Sequence, residues 1–206
     1  HLLEDQLESL FLPSGNPNVV RKITEKDGPQ TTSTFQQIFE ILTLHPKYAL
    51  VDFSLHFYDM KFRSLGLRKI EDCLPIQVCL AAGVSIENLA VLHGINPEMI
   101  SCRKNGDDDI QKLNCEMSLL LFACLEQNSS AVDENGILQL ANKWPALVGQ
   151  QQYGYRNSGL YPLSMLLRER KQDVSLALVR SLFGHFPKVM NVEKDQPLAF
   201  AIEYRC

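Results

Sequence analysis

Four times along this chain an apolar run of helical period ends on a proline and resumes with an apolar residue: ILTLHPKYA, VLHGINPEMI, LQLANKWPALV and RSLFGHFPKVM. With Pro46, Pro97, Pro145 and Pro187 as anchors, Ile38, Leu89, Ile137 and Val179 stand eight places before, and Ile41, Leu92, Leu140 and Leu182 five before. Three places after each proline come Ala49, Ile100, Val148 and Met190. Residues three apart share one face of an α-helix, and a proline drives the residue before it out of helical geometry. Each anchor therefore predicts a helix with a buried stripe that stops at the proline. The anchors are unevenly spaced, which suits stacked helical units with insertions between them and not a coiled coil, whose heptads must keep phase.

A second series lies upstream of three anchors and recurs once more near the C-terminus. LPIQVCLAAG, MSLLLFACLE, YPLSMLLRER and QPLAFAIEYR superimpose without gaps. Pro75, Pro162 and Pro197 take the second place, where a missing N–H costs a helix nothing, and Ser118 takes it in the remaining copy as a helix-starting residue. Each unit then reads as a first helix, a turn, a second helix and a proline exit. Ser33, Ser85 and Asp173 are the expected caps of second helices, the last opening a helix at Val174.

The LPIQVCLAAG stretch resembles the TPLHxAxxxG signature of ankyrin repeats, with Pro75, Ile76 and Gly83 in the places of its proline, first leucine and glycine. The second helices that close on INPEMI, KWPALV and HFPKVM are similar to degenerate units of that family. The chain departs from the pattern where the family carries histidine after Pro-Leu: Gln77, Leu120, Ser164 and Ala199 stand there. The resemblance implies an all-α fold, a helical-repeat solenoid of stacked antiparallel helix pairs, ankyrin-like with irregular inter-repeat loops. The expected organisation is an amphipathic helix over 1–12, a loop or linker over 13–33, and a repeat domain over 34–206. Within it fall a half unit at 34–72, units at 73–116, 117–159 and 160–195, and a partial unit at 196–206.

Composition narrows the partners. The net charge is −4 with dispersed Lys and Arg, so the basic patch of a nucleic-acid binder is missing. The most apolar run, 119–125, is far shorter than a membrane span. The start LLEDQLESLF carries acids where a signal peptide needs a basic region, and the last unit breaks off after its first helix. We therefore expect a trimmed start, and a C-terminal end continued by further chain or covered by a partner. Six cysteines form no CxxC pair, and Cys79 and Cys124 fall inside apolar first helices. They read as reduced structural thiols of an intracellular compartment, cytoplasmic or nuclear, with a Cys102–Cys115 bridge as the sharper alternative.

The insertions between units carry the candidate contacts. Within residues 51–72, Val51, Phe53, Leu55 and Phe57 alternate with polar residues as in a strand, although Phe53, Phe57, Met60 and Leu67 equally line a helix. Residues 101–115 are polar, with Arg103 and Lys104 ahead of an Asn-Gly turn signal, and 149–159 are rich in Gln, Tyr and Gly. Tyr and Arg are enriched where binding energy concentrates, so Arg103, Lys104, Tyr153, Tyr155 and Arg156 are the candidate partner-binding residues. The competing reading of the tyrosines is packing against a neighbouring unit.

No catalytic, cofactor-binding or metal-binding residues are assigned. Asp107, Asp108 and Asp109 lack the alternating spacing of a calcium loop, and His45, His56, His93 and His185 lack ligands at helical spacing. None of the GxSxG, HExxH, P-loop or GxGxxG patterns occurs. Trp144, one place before its proline, reads as packing at a helix exit. The expectation is a non-catalytic protein–protein interaction scaffold, binding through inter-repeat fingers and the exposed side of the first helices, as a subunit of a larger assembly. The alternative is the repeat region of a larger enzyme or transporter whose active domain lies outside this chain.

Overall fold

In the computed structural model the described residues are 2–9, 29–51, 53–57, 68–101, 117–125, 131–151, 160–170 and 174–187. The elements in chain order are α1 (Leu2–Ser9), α2 (Pro29–Leu44), β1 (Phe53–Phe57), β2 (Arg68–Cys73), α3 (Pro75–Ala81) and α4 (Ile86–Ile95). They continue with α5 (Leu119–Cys124), α6 (Glu134–Lys143), α7 (Pro162–Arg170) and α8 (Leu176–His185).

The proline exits share one backbone geometry. His45 (φ −133°, ψ 68°), Asn96 (φ −148°, ψ 105°), Trp144 (φ −131°, ψ 70°) and Phe186 (φ −142°, ψ 74°) all leave the helical region just before their prolines. The clash of the proline ring with the preceding residue accounts for this. A 3-10 turn follows at Pro46–Leu50, Pro97–Ile100 and Pro145–Gly149, each with proline in its first turn, where no N–H is missed. These turns bury Ala49, Ile100 and Val148, the residues expected to point inward.

Helix starts are chosen by side-chain oxygens. Ser85 accepts from Asn88 N–H at 3.5 Å, Ser118 from Leu121 at 3.3 Å, Asp133 from Gly136 at 2.9 Å and Ser175 from Leu178 at 3.2 Å. Each satisfies one of the donors a helix leaves unpaired at its first turn. Two expected starts are corrected. Ser33 lies inside α2, which begins at Pro29 within the stretch read as linker, because packing on α1 buries Thr34 and Phe35 there. At α8 the cap is Ser175, so the helix begins at Leu176 and not at Val174.

The second helices bury Leu89 and Leu92 on α4, and Ile137 and Leu140 on α6, as aligned. On α2 the stripe turns by one residue, burying Ile38 and Leu42 with Ile41 half-buried; on α8 it is Leu178 and Leu182, with Val179 half-buried. The first helices pack in a row, α3 on α5 and α5 on α7, with α5 apolar on every side. Each also packs on its own second helix, α3 on α4, α5 on α6 and α7 on α8, while α2 meets α4 and α6 meets α8. Every residue of α3 and α5 is buried, and in α7 Arg168 and Glu169 alone are half-exposed. Burying one such leucine contributes about 1.5–3 kcal/mol, so this row dominates the core.

Among the described residues the all-α expectation therefore holds apart from one two-stranded hairpin. Strands β1 and β2 run antiparallel with Leu55 opposite Ile70 and Phe57 opposite Arg68, and the register slips between Phe53 and Leu55. Of the two readings open for this stretch, the period-2 one holds. The hairpin touches α1 and α3.

Candidate functional site

The connections between helix pairs leave and return at equivalent points. Each leaves after a proline-started 3-10 turn and ends where a first helix begins: residues 51–74 before α3, 101–118 before α5, and 150–161 before α7. The hairpin is the first of these connections. The five candidate contact residues, Arg103 and Lys104 in the second and Tyr153, Tyr155 and Arg156 in the third, lie outside the described residues.

The bases of the third connection are held by packing. Leu147, Val148 and Leu160 are buried, and the Phe186 ring lies 5.1 Å from that of Tyr161, centroid to centroid. A Cβ on Gly149 would come within 3.3 Å of the same Phe186 ring, so glycine there permits the close approach. In the preceding pair Trp144 has the corresponding role: it is buried, and its ring centroid lies 5.5 Å from that of His93 on α4. The residue before each of these two prolines thus packs backward onto the preceding pair, which agrees with the packing role expected for Trp144.

Two polar residues missed in the sequence join consecutive pairs. Gln77, 1% exposed, accepts from Leu74 N–H through Oε1 at 3.0 Å and donates through Nε2 to the Met117 carbonyl at 2.7 Å. It thereby closes the start of α3 and holds the residue just before the α5 cap. Arg170, 8% exposed, donates to the carbonyls of Cys124 (3.3 Å), Val132 (2.9 Å), Ala123 (2.6 Å) and Leu125 (3.5 Å). Burial lowers its pKa from the usual arginine value, an effect opposed by Cys124, Glu134 and Asp133 nearby. For Gln77 the signal available in the sequence was a polar residue inside an otherwise apolar helix motif, which in a buried setting must find partners, whereas Arg170 ends the charged run Arg168-Glu169-Arg170 and carries no such mark.

The remaining titratable groups have structural surroundings. Cys79 and Cys124 are fully buried thiols whose pKa is pushed up to about 12, chiefly by burial, in keeping with small apolar fillers. Cys102, Cys115 and Cys206 lie outside the described residues. His185 is exposed, with Nε2 at 3.1 Å from Asn142 Oδ1, and His45 stacks edge-on against Tyr48 with ring centroids 5.6 Å apart. The pKa of His93 is lowered, first by burial and then by Lys143. Among the described residues no group of three His, Cys, Asp or Glu is placed to hold a metal ion, and no helix is long and apolar enough to cross a membrane.

Comparison with known proteins adds no relative: no family model, curated protein or solved structure matches the chain.

Proposed function

We propose that this chain is a non-catalytic protein-interaction scaffold of ankyrin-repeat type, in which stacked helix pairs present their connecting segments to a partner protein within a larger assembly. The observation that carries the reading is the equivalence of the connections. Three of them start from the same proline turn and end at the same first-helix start, so a stack of these pairs sets them along one edge. Segments whose bases are held in advance lose little ordering entropy when a partner binds.

One expectation is withdrawn. A binding face on the first helices has no surface to use on α3 or α5, whose residues are all buried. A helix apolar all round belongs inside a protein, so the contact surface falls to the connections. Arg103 and Lys104 in one, and Tyr153, Tyr155 and Arg156 in the next, are the residues proposed to touch the partner. Cross-linking with mass spectrometry on the native source would identify that partner. Replacing Tyr153, Tyr155 and Arg156 together with alanine is then expected to weaken its capture while the melting temperature stays unchanged. Undiminished capture would remove this connection from the interface.

A further inference from the structure

The ends of α3 and α5 solve one problem in two ways. A helix leaves its last carbonyls without intrahelical donors. At α3, Gly83 adopts φ 78°, its N–H reaches the Leu80 carbonyl at 2.9 Å, and the Val84 N–H reaches that of Cys79 at 3.0 Å. This is the left-handed closure for which glycine is suited. At α5 the C-cap residue Leu125 is itself extended (φ −63°, ψ 140°). Among the described residues, the donor that reaches the carbonyls of Ala123, Cys124 and Leu125 is the guanidinium of Arg170, from the next helix pair. A positive charge is favoured there by the helix dipole.

The fourth acceptor, Val132, immediately precedes Asp133, the cap of α6. One side chain of the third pair therefore binds the end of one helix and the entry to the next. At the same junction the Glu134 carboxylate accepts from the N–H of Ser175, the cap of α8. We propose that Arg170 is a conformational joint: closure of the α5–α6 pair is conditional on docking of the α7–α8 pair, so the two pairs open and close as one unit. The fork of the guanidinium is essential, because a lysine ammonium has no rigid, planar set of donors to reach the carbonyls of Ala123 to Leu125 and of Val132 together.

Native-state hydrogen exchange on the full chain across a denaturant series tests this. In the wild type the amides of Phe122, Ile137 and Val179 are expected to merge into one opening event. In R170K they are expected to split, with Phe122 and Ile137, whose pair loses its closure, exchanging about 10- to 100-fold faster relative to Val179, the loss that charge-assisted bonds of this kind imply. Separate opening events in the wild type would overturn the proposal. So would R170K protection that falls equally in α4, α6 and α8, or does not change. If R170K does not fold, E134A, which removes the other bond across the junction, takes its place: a split between Ile137 and Val179 upholds the coupling of the two pairs, and an equal loss in both refutes it.

Discussion

Replacing Gln77 by leucine isolates the bond between the first two complete helix pairs. The substitution keeps a buried side chain of similar volume and removes the hydrogen bonds from the Leu74 N–H and to the Met117 carbonyl. Leu74 is fully buried, so an unmade bond at its N–H costs about 1–3 kcal/mol. Met117 is half-buried, which puts the loss at its carbonyl near the lower end of that range. Set against the easier burial of leucine, the net loss is about 2–3 kcal/mol. For a chain of this length that lowers the melting temperature by about 5–10 °C. Equilibrium urea unfolding followed by circular dichroism, with the slope compared between variants, measures it directly.

Gln77 also stands where the ankyrin signature places histidine, so Q77H is the informative second variant. With Nδ1 accepting from Leu74 and Nε2–H donating to Met117, histidine is expected to keep both bonds and lose less than about 1 kcal/mol. A Q77L protein within about 0.5 kcal/mol of wild type would refute the bridge, since that is the ordinary range of surface changes. If Q77H falls as far as Q77L, glutamine is not standing in for the histidine.

At the equivalent place in the third pair, Ser164 is fully buried, and its hydroxyl has no hydrogen-bond partner among the described residues. S164A is expected to raise stability by up to about 1 kcal/mol in the same urea assay, and a lower stability would mean that the hydroxyl is satisfied. His93 packs on Trp144 with its pKa held below the ordinary 6.5, so the unfolded chain takes up a proton before the folded one does. Its contribution to stability is complete above that ordinary value and is lost as pH falls through the folded one. H93Q should flatten the fall in melting temperature between about pH 7 and pH 5, and an identical fall in both proteins would acquit His93.

What was legible in the sequence was legible because its cause is local. A proline acts on the residue beside it, so the geometry of His45, Asn96, Trp144 and Phe186 follows from four letters of sequence each. The Ser85 and Ser118 caps have the same short reach, and Asp133 was open to the same reading. The buried stripe is less local: which of Ile41 or Leu42 faces inward depends on how α2 meets α1, and the pattern allows either. The partners of Gln77 and Arg170 lie beyond pattern altogether, because their acceptors are backbone carbonyls some forty residues away and a carbonyl carries no residue-specific mark. The exposed side expected for the first helices was misjudged, since a run such as LLLFAC is apolar on every side and so belongs in the interior. Their burial and the polar junctions have one consequence. With the first helices taken up by the core and their ends tied by Gln77 and Arg170, the segments free to differ between pairs are the connections, and variation there leaves the helix row undisturbed.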